Sequence, residues 1–254
     1  MANEIDDFET KYPFDFTDAF LAPLVKIPNY WLVREKGGAF SEHNVEGPEK
    51  QKGELVETGL TNHFVLISVG AAHHHVDQLE SILVARLEIA VFPIWRELLS
   101  FYNNLFGARE GLSKFCYLIL DRKPKGINSK TFNFSIPQQF FKNKHQRLYE
   151  IFEEINLKID IRHRLQHRGL IYTHIFVSNL KLQFQIPKDS EIMQRQVIPP
   201  KNIEWEDGLK IMKESLEYVE KHINQIYDYL LNERYIEEFL VRKNLNIKVN
   251  QKPT

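Results

Sequence analysis

The clearest pattern in this chain lies toward its C-terminal end. Leu209, Met212, Leu216, Val219, Ile223, Ile226 and Leu230 alternate spacings of three and four, which predicts a helix with a bundle or coiled-coil seam. A shorter helix follows to about Arg242, then a polar tail over 245–254. Leu148, Phe152, Ile155 and Ile159 form a second stripe. It predicts a helix of about 30 residues, on the order of 45 Å long, opening at Ser135-x-x-Gln138 and closing at Gly169. Val76, Leu79, Leu83, Leu87 and Ala90 mark a third within 61–105, where Pro93 kinks or restarts the helix and Gly107 ends it. Residues 108–122 read as another short helix, closed by Arg122, Lys123 and Pro124.

Two regions break this rhythm. Ile171, Thr173, Ile175 and Val177 alternate, as do Leu182, Phe184 and Ile186, with Ser178-Asn179 between them. That predicts a small β-hairpin inserted between helices, followed by loop over 187–204. Residues 1–60 show little helical periodicity and are interrupted by Pro13, Pro23, Pro28 and Pro48, so they read as an irregular arm with a short strand at Tyr30–Val33. Loop is expected over 123–136, with a short alternation at Phe132, Phe134 and Ile136. The fold expected is all-α: an antiparallel helical bundle over 61–244 with a β-hairpin insertion and an N-terminal arm over 1–60.

Composition refines this picture only where it excludes something. The 254 residues are 43% apolar and contain one cysteine, Cys116, which excludes a disulfide framework and a thiolate zinc finger. No signal peptide or membrane-length apolar run is visible, so the expectation is a cytoplasmic protein without a membrane partner. Net charge is −1, yet it is unevenly spread. Residues 1–60 carry 6 Lys/Arg against 12 Asp/Glu, residues 121–168 carry 11 against 5, and residues 189–239 carry 6 against 12. One basic segment between acidic ones suits a local anionic ligand, or self-association through complementary patches.

Candidate chemistry is sparse. There is no phosphate-binding glycine loop, nucleophile elbow, His-Glu-x-x-His or cysteine pair. His73-His74-His75 reads as a solvated polar helix start, because neighbours on a helix point about 100° apart and cannot all share one metal. The second feature is Arg162-His163-Arg164-Leu165-Gln166-His167-Arg168-Gly169, at the end of the stripe of Leu148–Ile159. Arginines suit a helix C-terminus through the macrodipole, but this does not account for two histidines. His163 and His167 stand at i and i+4 and could chelate a metal, yet the flanking arginines repel a cation, so no metal and no cofactor is expected. A phosphodiester attacked by its own 2′-hydroxyl needs an acid, a base and positive charge on the phosphorane. Histidine and arginine supply these without a metal.

In these residues the chain resembles the HEPN superfamily, whose hallmark is Arg-(polar)-x-x-x-His. Arg162, His163 and His167 match its three defined positions, and Arg168-Gly169 is similar to a His-Arg-x-Gly variant shortened by one residue. The likeness covers about 61–242. It implies an all-α, dimeric, often metal-independent RNase. His167 would be general acid or base, Arg162 would hold the transition-state phosphate, His163 would position His167 or the scissile phosphate, and Arg164 and Arg168 would bind RNA backbone. Partners implied are RNA, a second copy, and an antitoxin or regulatory protein, as in a toxin or phage-defence effector. Two other readings stand beside it. One is a non-catalytic HEPN module that binds RNA or nucleotide or scaffolds a complex. The other is a helical interaction protein resembling the superfamily by chance. Some HEPN toxins carry a modifiable tyrosine two residues after the histidine. Here that position is Gly169 and the nearest tyrosine is Tyr172, so the sequence departs from that form of control.

Overall fold

The computed structural model describes residues 25–85, 91–121, 135–167, 174–178, 181–187 and 204–248, with Val91, 161–167, 174–178, 181–184 and Pro187 described as backbone. Seven α-helices and two small antiparallel sheets make up these residues, so the molecule is mostly helical. The helices are α1 (Pro28–Lys36), α2 (Glu49–Ala85), α3 (Val91–Leu120), α4 (Ser135–Lys144), α5 (Gln146–His167), α6 (Gly208–Asn232) and α7 (Tyr235–Arg242).

The seam of α6 organises the bundle. Met212, Leu216, Val219, Ile223, Ile226 and Leu230 are all buried, as the 3–4 spacing requires. Asp207 caps the helix, its Oδ1 accepting from the Lys210 amide at 2.9 Å. α5 runs antiparallel to it, since His145 meets Tyr229 at one end and Glu154 meets His222 further along. α2 and α3 form a second antiparallel pair, with His75 against Glu97 and Phe64 against Gly107.

The N-terminal region departs from expectation. Residues 30–33 lie in α1, not a strand, with Pro28 in the first turn where an amide donor is not needed. α2 begins at Glu49, so the boundary drawn at residue 60 falls inside a helix. Val25, Ile27, Tyr30, Val33, Phe40 and Leu55 are buried in the common core. The arm expected over 1–60 is therefore replaced, from residue 25 onward, by elements that complete that core. Polar residues mislead here because their bonds are tertiary. The Lys26 amide donates to Glu220 Oε1 at 2.8 Å and the Asn29 amide to Asn224 Oδ1 at 2.9 Å, strapping the segment along α6.

Three further expectations are corrected. Gly107 does not end a helix; α3 passes through it and Gly111, and the Phe64 ring lies on the space they leave. The helix expected from about 135 to 168 is two, broken at His145, whose ring packs among Phe140, Tyr229 and Tyr235. The polar tail begins with a buried Leu245 and a short strand, Asn246–Ile247, paired antiparallel with Val45–Glu46. The hairpin is where alternation places it: His174–Ser178 pairs with Lys181–Pro187 in the register His174↔Gln185. A third strand, Trp205–Asp207, extends that sheet and leads directly into α6.

Gly59, in the middle of α2, lets the Gly38–Phe40 turn cross the helix. A Cβ there would stand 2.3 Å from Phe40 Cβ and 3.0 Å from its carbonyl oxygen. Alanine normally strengthens a helix by up to about 1 kcal/mol over glycine. Here overpacking outweighs that gain, and Gly59→Ala is expected to lower stability by about 1–2 kcal/mol in a urea titration. Unchanged or raised stability would show that the turn yields easily.

α2 is long and apolar enough, by length and composition, to cross a membrane; 56% of its most apolar window is buried inside the bundle.

Candidate functional site

α5 carries the basic motif at its C-terminal end. Its buried row is Leu148, Ile151, Phe152, Ile155 and Ile159. On a 3.6-residue helix this row continues onto Arg162 and His163, three and four residues beyond Ile159. The motif thus begins directly after the last described buried residue, Ile159, and occupies the last two turns of α5. Arg162, His163, Arg164 and His167 all lie within α5, which stays helical to His167. Five residues separate Arg162 from His167, about 140° around the axis, so they occupy different faces, whereas His163 and His167 share one. Arg168 and Gly169 lie outside the described residues, as does Tyr172.

Because α5 and α6 are antiparallel, the motif end of α5 lies toward the capped start of α6, next to Trp205–Asp207. One turn or two before Arg162 a polar cluster joins the two helices. His222 Nδ1 donates to the Tyr218 carbonyl at 2.7 Å, and its Nε2 meets Glu154 Oε2 at 2.6 Å. The Tyr218 hydroxyl donates to the same Glu154 oxygen at 3.2 Å, and its ring stacks on His222 at 4.0 Å between centroids. Lys158 Nζ sits 5.5 Å from the Tyr218 ring centre, within cation–π range. Both nitrogens of His222 face oxygen acceptors, so the ring is fully engaged as a helix-to-helix tie.

The histidine triplet is corrected. His73, His74 and His75 lie deep within α2, not at a helix start. Alternate members reach different neighbours: His73 Nε2 meets Glu220 Oε1 at 2.8 Å on α6, and His75 Nδ1 meets Glu97 Oε2 at 2.7 Å on α3. Both carboxylates are buried. Arg96 Nε adds a bond to Glu97 Oε1 at 2.7 Å. Burial pushes the Glu97 carboxyl up, but the His75 and Arg96 bonds outweigh it and hold the group below the ordinary carboxylate value. These pairs are structural pins that sequence reading missed, because their partners are distant along the chain. One signal was present: Glu97 interrupts the apolar row of Ile94, Leu98 and Phe101.

A second histidine is held at the other end of α5. His145 Nδ1 lies 3.1 Å from the Tyr229 hydroxyl, which lies 3.2 Å from that of Tyr235. Burial, with Lys144 nearby, lowers the His145 pKa. Among the residues whose side chains are described, no three His, Cys, Asp or Glu groups converge to hold a metal ion.

No protein family, curated protein or solved structure matches this chain.

Proposed function

We propose that this chain is a metal-independent endoribonuclease of the HEPN type, acting as a two-fold dimer and serving as a toxin or phage-defence effector that a partner protein restrains. The observation that carries the reading is the run of Arg162, His163, Arg164 and His167 along the helical end of α5, directly after the buried Ile155 and Ile159. Four basic side chains within six residues are useful for binding an anion. The mostly helical bundle is the setting that the HEPN resemblance implies.

The chemistry follows from the residue types. A base removes the proton of the RNA 2′-hydroxyl, the oxygen attacks the adjacent phosphorus, and an acid protonates the departing 5′-oxygen. His167 serves as acid or base. Arg162 holds the non-bridging oxygens as charge builds in the phosphorane. His163 positions His167 or the phosphate, and Arg164 and Arg168 hold the RNA backbone. One motif cannot offer acid, base and phosphate clamp on one helix face, whereas a two-fold supplies a second copy.

RNA incubated with the protein in EDTA is expected to be cut, leaving 2′,3′-cyclic phosphate and 5′-hydroxyl ends. A substrate with 2′-deoxy at the scissile nucleotide is expected to resist. Cutting of the deoxy substrate at the RNA rate, or a strict need for a divalent metal, would overturn the mechanism. Tight RNA binding without cleavage would point to the non-catalytic module.

A further inference from the structure

α2 carries an apolar row that the described residues leave half exposed. Leu60, Phe64 and Ile67 are 46%, 49% and 40% exposed, and Ala71 follows at the next position of the same row. The spacings from Glu57 through Leu60, Phe64, Ile67 and Ala71 to His74 are 3, 4, 3, 4 and 3, the spacing of a helix–helix seam. α2 is therefore apolar on both its faces, which is the pattern of a helix buried all round rather than one at a surface.

We infer that this row is a self-association surface, on which α2 of a second copy packs antiparallel about a two-fold axis between Phe64 and Ile67. The register is the argument. In an antiparallel pair centred there, Leu60 opposes Ala71 of the second copy and Phe64 opposes Ile67. Large side chains then meet small or mid-sized ones along the seam. The same register sets Glu57 against His74 of the second copy, at both ends, so opposite polarity closes each end of the apolar row. An arbitrary partner would not be matched by the order of residues within the row itself, whereas an isologous interface must be self-complementary.

The neighbouring helix prepares the receiving surface. Glu57, Leu60, Thr61, Phe64, Glu110 and Lys114 line an open groove of about 390 Å³ between α2 and α3. In this register the exposed His74 of the second copy faces Glu57 at the groove, where Glu57 Oε1 also lies 3.5 Å from Lys114 Nζ of its own chain. A helix pair alone buries less than the roughly 800 Å² per partner of a standard interface. The half-buried row Asn103, Gly107, Glu110 and Lys114 of α3 must join.

This association does not rest on the ribonuclease reading, and it does not itself assemble the Arg162–His167 site. Asn62 is level with Tyr227 of α6 and His73 with Glu220, so the row lies away from the start of α6 where the motif end falls. A chain using both two-folds would form a tetramer or an open fibre.

Sedimentation equilibrium of the full chain is expected to give a dimer or tetramer at tens of micromolar, and Phe64→Glu to halve the mass with helical circular dichroism retained. Glu57→Lys or His74→Glu alone is expected to weaken association by about tenfold, and the two together to restore it to within about threefold. Independently, Leu60→Cys protein mixed with Ala71→Cys protein is expected to form a disulfide on oxidation, while neither forms one alone. Position 60 of one copy is about 16 Å along the axis from position 60 of the other. A monomeric wild type, a mass unmoved by Phe64→Glu, or no rescue in the charge swap would each overturn the proposal. So would adsorption to neutral lipid vesicles in place of self-association. RNA cleavage unaffected by Phe64→Glu separates this outcome from the fate of the catalytic reading.

Discussion

Alanine at His167 is expected to lower RNA cleavage by at least about a thousandfold, and alanine at Arg162 by a similar factor. The first removes the proton carrier; the second leaves the phosphorane charge without its bidentate clamp. Arg162→Lys is not a rescue, because an ammonium keeps the charge but loses the fork. The double variant is expected to be scarcely worse than either single, since both groups act in one transition state. Helix content should not move, because both positions lie in the last two turns of α5 and alanine favours helix. A sharper test uses the five-residue spacing. If the helix holds Arg162 and His167 on different faces, one cleft takes them from different copies. Mixing Arg162→Ala protein with His167→Ala protein then forms mixed dimers, about half of the total by random exchange. These dimers are expected to regain cleavage that neither parent shows. Mixed dimers as inactive as their parents would mean that each site draws both residues from one chain, and the composite site would fall.

Much of the bundle was legible because its signals are local. The seam of α6 reads directly from its spacing, and its burial follows; the hairpin at 174–187 reads from alternation and stands in that register. The failures share one physical cause, that tertiary partners are invisible along the chain. Residues 25–36 look irregular because their bonds run to Glu220 and Asn224, nearly two hundred residues away. Gly107 resembles a helix stop until Phe64 is seen lying on it. His145 breaks a helix that periodicity carries straight through, because its ring is claimed by tyrosines of α6 and α7. The candidate motif could be picked out in the sequence for a different reason. It is a run of adjacent residues on one helix end, so no long-range pairing had to be guessed. The three histidine–glutamate ties were not legible, and they show that most described histidines near carboxylates here serve packing.

Removing the Glu97 carboxylate is expected to be the most costly single change to this polar framework. Glu97 is 3% exposed, accepts from His75 and Arg96, and joins α2 to α3 where the two helices lie side by side. Glu97→Ala leaves a cavity and strips His75 of its partner. Arg96 is largely exposed and can return to water, which places the loss at the low end for a broken buried pair, about 3 kcal/mol. For a chain of this size that is a fall in Tm of about 6–12 °C. Glu97→Gln keeps the volume and one acceptor, and is expected to lose about half as much. The pH dependence separates charge from shape. The folded carboxyl is held below its ordinary value, so its contribution is complete above the unfolded pKa and disappears as pH falls through the folded one. The stability gap between wild type and Glu97→Gln should therefore be widest above about pH 5 and close on acidification. The gap to Glu97→Ala should narrow without closing, because the cavity does not titrate. Parallel acid limbs for wild type and Glu97→Gln in denaturant titrations would show that the His75 and Arg96 bonds hold a neutral acid, and that the pin is one of shape alone.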